Sequence, residues 1–322
     1  MGYFPDPYPD ELFYSICARF AERMSYSPTI AARALSLPTH ASVGFFLPYN
    51  LDLLAETLPP RHSYTADSFI DGHSILPYWG PFMQSATYSL IRGEMKKRRG
   101  QGALAYCGYV GPRYLRQFIR YCPKCVSADR GRWGEAYWHR QHQIPGVLVC
   151  ETHSVFLLDS ELSVATALRD KKLLSAESCA LSTLLGQLQL SDTRHCALLA
   201  IARDVDWLLH AGVPRCPEAI RTNFLELLKQ NGFVRKTIVK RDELRSAIIK
   251  RYSSSLLCEL CSSIGEPGHI VDVAKLYRAH ISVRDPINQL VLMHFLGHTA
   301  QSFFATIPAI MNLSPDRSGV LE

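Results

Sequence analysis

Two pairs of metal-binding side chains, separated by 24 residues, constrain this chain more than any other feature of its sequence. Cys122 and Cys125 form the first pair, and Cys150 and His153 form the second. The two-residue spacer within each pair allows a tight turn that aims both ligands at one point, and three thiolates with one imidazole suit Zn²⁺ better than harder ions. The spacing predicts one structural zinc ion held by all four side chains. The alternative is that these reduced thiols and the imidazole simply pack in a core.

Other cysteines and histidines leave alternative ligand sets open. His139 and His142 lie between the two pairs and could replace one ligand, although packing and hydrogen bonding around the site explain them better. Cys258 and Cys261 form a second CxxC within a helical pattern, which favours buried helix cysteines over a second metal site. Such a second site would recruit a further ligand, either Cys216 or His269. A complete set of four protein ligands leaves zinc no open position, which argues against a metalloenzyme.

The composition favours a folded cytoplasmic protein with a polyanionic partner. With 322 residues, of which 47% are apolar, the chain can form two or three small domains with their own cores. The N-terminus carries no signal-peptide pattern, so the cysteines are expected to stay reduced. Residues 73–91 lack charged side chains, but Pro77, Gly80 and Pro81 argue against a membrane span. The net charge of +6 suits nucleic acid, although it is weak support by itself.

Apolar residues at helical spacing predict a mainly α fold, with helix-turn-helix-type domains flanking a small zinc-finger module. Asp10 and Glu11 begin an amphipathic helix over residues 10–24, where negative charge favours a helix N-terminus. Further helices are expected at residues 30–35, 51–58, from Thr65, and at 181–190, 198–209 and 224–228. The expected domains are residues 1–104 (helical), 105–165 (zinc-finger module) and 166–322 (helical).

A basic segment from Lys229 to Arg251 is the main candidate for DNA contact. It carries eight cationic side chains and two acidic ones in 23 residues. Residues 242–251, 253–255 and 256–264 read as helix, turn and helix, a spacing that places one helix in the major groove. The alternative is a solvated helix pair. The proposed phosphate contacts are Arg235, Lys236, Lys240, Arg241 and Arg245.

Two smaller basic clusters precede and follow the expected domain boundary near residue 104. Arg113, Arg116 and Arg120 have the spacing of one helical face, which suits either phosphate contact or packing against acidic neighbours. The run 96–99 reads as a surface loop, or alternatively as a clamp on a DNA backbone.

The sequence offers little support for catalysis. No Gly-rich phosphate loop, HExxH helix motif or nucleophile elbow is present. Asp6, Asp10 and Glu11 lie close together in sequence, but helix capping explains them. The chain is therefore not expected to be an enzyme, and a zinc hydrolase is the least favoured reading.

Several ordered blocks resemble the TniQ/TnsD family of transposition proteins. Residues 121–125, 134–140 and 142–153 are similar to the zinc-finger signature of that family, and residues 7–15 are similar to its opening. The TnsD branch in particular is resembled at residues 37–40 and 73–82, and more weakly at 284–287 and 290–297.

This resemblance implies a protein that selects the insertion site of a cut-and-paste transposon. It would bind double-stranded DNA and recruit a TnsC-like AAA+ ATPase, in the bacterial cytoplasm and on the nucleoid when bound to DNA. The alternative is a TniQ-like adaptor that links a CRISPR RNA-guided complex to the ATPase. The expected ATPase contacts are aromatic residues before the first helix, Tyr3, Phe4 and Tyr8, which could instead pack on their own domain.

Overall fold

The chain is mainly helical over the residues that the structure, a computed structural model, describes. These are residues 2–37, 46–60, 62–97, 118–169, 172–179, 181–236, 238–260 and 286–313. Short antiparallel strand pairs interrupt the helices in this part of the chain. The expected mainly α fold class is confirmed. No helix among the described residues is long and apolar enough to cross a membrane.

Six helices form the N-terminal part in the described residues. They are α1 Phe13–Arg23, α2 Pro28–Ala34, α3 Leu51–Thr57, α4 Ala66–His73, α5 Leu76–Trp79 and α6 Ser85–Lys96, with a 3₁₀ turn at Gly80–Phe82. Ser27 and Thr65 cap α2 and α4 through their side-chain oxygens. These local signals explain why the helix starts match the sequence pattern closely.

Helix α1 lies at the centre of this part, and its polar face is buried together with its apolar face. Every residue from 13 to 21 is buried, because other elements cover all its faces. The Phe13 ring contacts Phe69 of α4 at 5.5 Å between centroids. On another side, the Ser15 hydroxyl accepts a hydrogen bond from the backbone N–H of Trp138, at 3.1 Å.

The predicted capping role of Asp10 and Glu11 is wrong. The cap position of α1 is Leu12, and its first turn holds no acidic residue. Asp10 adopts a positive φ of 52° and accepts hydrogen bonds from Arg140 and from the backbone of Gln141. Glu11 is buried and pairs with Arg19 at 2.8 Å. Both carboxylates pair with buried arginines and do not cap α1.

The middle of the chain joins short strands to one long helix. Its elements are β1 Phe118–Tyr121, α7 Pro123–Trp133, a 3₁₀ turn at Gln141–Gln143, β2 Val149–Cys150, β3 Val155–Phe156, β4 Leu158–Ser163 and α8 Val164–Arg169. Strand β1 pairs with β4, and β2 pairs with β3, both antiparallel. Helix α7 begins with Pro123 at its first position and ends at Gly134, whose φ of 82° suits a residue without Cβ.

The C-terminal part contains six helices and one hairpin in the described residues. They are α9 Thr193–His210, α10 Pro217–Gln230, β5 Val234–Arg235, β6 Ile238–Val239, α11 Arg241–Tyr252, α12 Ser254–Leu260, α13 Pro286–Phe295 and α14 Ala300–Leu313. Helix α10 packs on α14, with the Phe224 and Phe303 rings 4.5 Å apart.

The helix expected over residues 181–190 is absent, and the segment is extended. Its backbone pairs with the β2–β3 hairpin: the Gly186 carbonyl accepts from the Phe156 N–H at 2.9 Å, and Gln187 bridges to Val155. Leu184 is 76% exposed, so the leucines that suggested an apolar helix face do not all reach a core. Hydrogen bonding to the hairpin decides the conformation here.

A glycine in the middle segment marks its close contact with the C-terminal helices. Gly146 has a φ of 85°, and a Cβ atom there would lie 2.6 Å from Ile287 of α13 and 2.9 Å from the Leu260 carbonyl. Only glycine fits this approach. The middle segment is therefore packed directly against the C-terminal helices.

One buried arginine joins three regions of the chain. Arg140 is 1% exposed and donates from Nε to Asp10 at 2.7 Å. Its other nitrogens donate to the carbonyls of Asp71 and Ser74 near α4 and lie 3.2 Å from His210 Nε2 on α9. Although burial alone would raise the pKa of Asp10, the Arg140 guanidinium holds that pKa below its usual value.

We expect Arg140→Met to lower the free energy of unfolding by about 3–5 kcal/mol, because it leaves the Asp10 carboxylate, which is only 15% exposed, without its counter-charge. The measurement is denaturant unfolding followed by circular dichroism. Arg130→Met is the matched control, since Arg130 pairs with Glu177 while 47% exposed and should cost less than about 1 kcal/mol. Equal losses in the two variants would contradict this account of Arg140.

Candidate functional site

The four predicted metal ligands lie together in the structure. The ligand atoms of Cys122, Cys125, Cys150 and His153 all lie within 4.8 Å of one another, and the three cysteines are buried. His153 Nδ1 lies 3.6, 3.3 and 3.5 Å from the sulfur atoms of Cys122, Cys125 and Cys150. The Cys125 and Cys150 sulfur atoms are 3.7 Å apart.

These distances match the edges of a small tetrahedron. Four ligands at ordinary zinc distances, with Zn–S near 2.3 Å and Zn–N near 2.0 Å, are separated from one another by roughly 3.6 to 3.8 Å. Four of the six separations, from 3.3 to 3.7 Å, fall close to that range, and the other two do not exceed 4.8 Å. The cluster is therefore arranged so that it could hold one metal ion.

Local structure brings each pair into place. Cys122 follows β1 and is the N-cap residue of α7, so the first turn of that helix carries Cys125 back towards it. Cys150 ends β2, and the turn to β3 places His153 beside it, with Ser154 at a φ of 51°. The Ser154 N–H donates to the Cys150 carbonyl at 2.9 Å. One pair thus comes from a helix start and the other from a hairpin turn.

The three thiols lie so close together that the ionisation of one opposes the ionisation of the next. Hydrogen bonding from Cys125 to the sulfurs of Cys122 and Cys150, reinforced by burial, raises the pKa of Cys125. Hydrogen bonds with Cys125 and Cys150 lower the pKa of Cys122. One thiol must therefore keep its proton so that its neighbour can ionise. A bound divalent cation removes the conflict, because it favours the thiolate at every position.

The segment that carries the four ligands, residues 118–153, is called the metal segment here. A glutamine and an arginine that the ligand spacing does not identify hold this segment together. Gln143 accepts from the Arg120 N–H at 3.0 Å and donates to the Arg120 carbonyl at 2.8 Å, two residues before Cys122. The Arg120 side chain is buried and donates to the carbonyls of Val147 and Ile144. The expected helical basic face is wrong for Arg120, because this residue lies on β1; Arg113 and Arg116 lie outside the described residues.

His139 and His142 lie beside the cluster without completing it. His139 Nε2 lies 2.9 Å from Asp129 Oδ2 of α7, and this carboxylate raises the pKa of His139 against the opposing effect of burial. His142 is buried with Nε2 4.0 Å from the Cys125 sulfur, and its ring lies 4.9 Å from that of His139. Their contacts agree with the packing role favoured from the sequence.

The described residues include only the first cysteine of the second CxxC. Cys258 is exposed on α12, whereas Cys261 and His269 lie outside the described residues. Cys216 is half-buried before α10. Within the described ranges, the Cys122 cluster is the one group of this kind that converges.

The predicted DNA contacts lie on one hairpin and the start of one helix. Arg235 is on β5, Lys236 is in the following turn, and Arg241 and Arg245 are on α11; all four side chains are exposed. Lys240 is half-buried, and its Nζ lies 3.0 Å from Glu243 Oε2. The four exposed cations remain available to a phosphate backbone.

The helix pair in this region differs in detail from the predicted helix, turn and helix. A single residue, Ser253 at a φ of 63°, separates α11 from α12, where a three-residue turn was expected. Leu244 and Ile248 of α11 and Leu257 of α12 are buried. The helix-turn-helix character of this pair stays a prediction.

The aromatic residues before α1 are mostly turned towards their own domain. Phe4 is 2% exposed and packs on Phe69 and Phe20, so it offers no surface to a partner in this conformation. Tyr8 is half-buried, with its ring under the Arg19 guanidinium at 3.7 Å. Tyr3 is half-buried near the surface. Partner contact through Tyr3 and Tyr8 stays a prediction.

Comparison with known proteins agrees with this geometry. A family model described as TniQ matches residues 3–157, and a model described as Tn7-like transposition protein D matches residues 201–316. The chain is also 28% identical over 166 residues to the transposon Tn7 transposition protein TnsD of Escherichia coli. That alignment spans 49% of this chain and 31% of the relative.

The chain belongs to the TniQ/TnsD family of transposition proteins. The TniQ match contains the metal cluster, Arg140 and all six N-terminal helices. The TnsD match contains the β5–β6 hairpin and the helices α10 to α14. In this TniQ/TnsD chain, the metal cluster and the exposed basic residues therefore belong to different family segments.

We expect Cys125→Ser to lose the bound metal ion and to destabilise the β2–β3 hairpin, because a serine hydroxyl is a poor replacement for a thiolate ligand. Metal content by mass spectrometry, together with thermal unfolding, measures both effects. Cys258→Ser is the matched control, since that cysteine is exposed on α12, and it should keep one equivalent of metal. Loss of metal from the Cys258 variant alone would move the site to the second CxxC.

Proposed function

We propose that this chain selects the insertion site of a cut-and-paste transposon by binding double-stranded DNA and recruiting an AAA+ ATPase. The observation that carries the proposal is the combination of TniQ and TnsD matches in one chain whose TnsD segment presents exposed cations at the hairpin and α11. The TnsD match favours this role over that of a TniQ-like adaptor for a CRISPR RNA-guided complex. Such a protein would work in the cytoplasm and on the nucleoid.

The proposed metal is Zn²⁺, held by Cys122, Cys125, Cys150 and His153. Three thiolates and one imidazole in a tetrahedral arrangement suit zinc better than magnesium or calcium, which prefer oxygen ligands. Bound zinc would supply a structural cross-link between the start of α7 and the β2–β3 hairpin. The four protein ligands leave no position for a substrate or a reactive water, which argues against a zinc hydrolase.

The proposed DNA surface comprises Arg235, Lys236, Lys240, Arg241 and Arg245. Exposed cations gain affinity by releasing counterions from the DNA, and this gain does not depend on sequence. Lys240 differs from the other four because its ammonium group already contacts Glu243. Helices α11 and α12 are the candidate helix-turn-helix, in which one helix would enter the major groove.

We expect alanine at Arg235, Arg241 or Arg245 to reduce the slope of log affinity against log salt concentration by about one unit each. Lys240→Ala should change the slope less, since Glu243 partly neutralises that charge already. The measurement is fluorescence anisotropy with labelled duplexes over a salt series. Arg132→Ala, an exposed arginine on α7, is the control and should leave the slope unchanged. Parental slopes in all the basic-segment variants would place DNA recognition elsewhere.

We expect Tyr3→Ala to weaken recruitment of the transposon's AAA+ ATPase to DNA-bound protein while leaving DNA affinity unchanged. Tyr3 is half-buried, and its hydroxyl contacts Arg23 of α1, so its loss removes surface area without opening the core at Phe4. A pull-down on immobilised duplex measures recruitment. Tyr26→Ala, at another half-buried tyrosine of the N-terminal part, is the control. Unchanged recruitment by the Tyr3 variant would exclude this contact.

A further inference from the structure

The β5–β6 hairpin has an outward face that the core does not explain. Val234 pairs with Val239, and Arg235 pairs with Ile238. Directly opposed residues of an antiparallel pair share one face, and successive residues alternate between faces. Val239 is buried, so the Val234 and Val239 face is turned inwards, and Arg235 and Ile238 lie together on the outer face.

Ile238 is unusual because a large apolar side chain occupies this outer face. It is 73% exposed, whereas the neighbouring Val239 is 7% exposed. A solvated strand face ordinarily carries polar residues, and the paired position, Arg235, follows that rule. The hairpin thus presents an isoleucine next to an arginine at a site where neither contributes to the hydrophobic core.

The base of the hairpin is fixed by contacts with neighbouring helices, whereas the residues beside its turn are exposed. The Phe233 N–H donates to the Leu228 carbonyl at 2.9 Å, and the Lys240 N–H donates to the Phe233 carbonyl at 2.8 Å. The Phe233 ring packs on Phe295 of α13, at 5.7 Å between centroids. These contacts tie both ends of the hairpin to α10 and α13.

The charge around the tip is of one sign. From Lys229 to Arg241 the sequence has five cationic residues and no aspartate or glutamate. Lys236 occupies the first turn position with a φ of 58°, and its side chain is exposed. The nearest acidic residues along the chain are Glu226, Asp242 and Glu243, and Glu243 is paired with Lys240. The tip is therefore complementary to a polyanion.

We infer that the Val234–Val239 hairpin reads the minor groove of DNA, with Arg235 entering the groove and Ile238 packing on its sugar and base edges. This inference rests on the proposed function and adds a groove and an apolar contact to it. Arginine is favoured in the minor groove by the negative potential there, and apolar side chains are the other recurrent contact of minor-groove proteins. Phosphate contact alone would account for Arg235 and Lys236 but not for Ile238.

Duplexes containing inosine test the groove directly. An inosine–cytosine pair presents the minor-groove pattern of an A·T pair but the major-groove pattern of a G·C pair, since it lacks only the guanine amino group. We expect the full chain to bind 24-base-pair A·T and I·C duplexes with equal affinity and about fivefold or more tightly than a G·C duplex. Arg235→Ala and Ile238→Ser should both lose this preference.

Two control variants separate groove reading from general effects. Leu184→Ser replaces another highly exposed apolar residue outside the basic segment, and Arg245→Ala removes a cation from α11. Both should keep the preference for A·T and I·C duplexes, although Arg245→Ala should weaken binding to all of them. Thermal unfolding and metal content establish that each variant is folded.

A result that contradicts the minor-groove inference can be distinguished from one that contradicts DNA binding itself. A parent protein that binds the three duplexes equally, or a preference that survives both hairpin substitutions, would overturn the minor-groove inference and leave DNA binding intact. An I·C duplex that behaves like G·C would assign recognition to the major groove instead. A parent protein that binds none of the duplexes would overturn DNA binding and this inference together.

Discussion

The guanidinium of Arg140 is the group on which the arrangement of the fold depends. Transferring a charged group from water into a protein interior is costly unless it is paired and its donors are satisfied. Arg140 meets that requirement with Asp10 before α1, carbonyls near α4 and the imidazole of His210 on α9. These partners come from three separated parts of the sequence, so the charge can be buried only when all three have assembled. The same residue lies in the segment between the two metal-ligand pairs, which ties assembly to the candidate metal centre.

The metal segment is stabilised twice, once by the ligand cluster and once by hydrogen bonds around it. Gln143 joins the 3₁₀ turn to β1 immediately before Cys122, and Gly146 allows the same segment to approach α13. A metal ion would fix the convergence of two turns, but it cannot orient them towards the rest of the protein. That orientation comes from the buried polar contacts, which explains why side chains such as Arg120 and Gln143 are buried although neither is a ligand.

The exposed basic residues of the C-terminal part differ in their surroundings and role from the buried arginines. Arg19 and Arg140 are neutralised by carboxylates and serve the fold, whereas Arg235, Arg241 and Arg245 remain solvated. Solvated cations cost the fold little and keep their full charge for a polyanionic partner. The hairpin combines such cations with an apolar residue outside the core. This separation suits a protein whose candidate metal segment is structural and whose proposed DNA surface lies in the TnsD segment.

The sequence by itself determined the features that depend on short-range signals. Capping residues located α2 and α4, apolar spacing located α3, and the two ligand pairs identified the four side chains that converge. Tertiary structure alone decided the rest. Arg120 had the spacing of a helical face but lies on a strand, residues 181–190 had apolar spacing but pair with the β2–β3 hairpin, and Asp10 and Glu11 neutralise arginines instead of capping α1. In each case the conformation depends on a partner distant in sequence, because burying a charge or satisfying an extended backbone requires groups that local periodicity does not reveal.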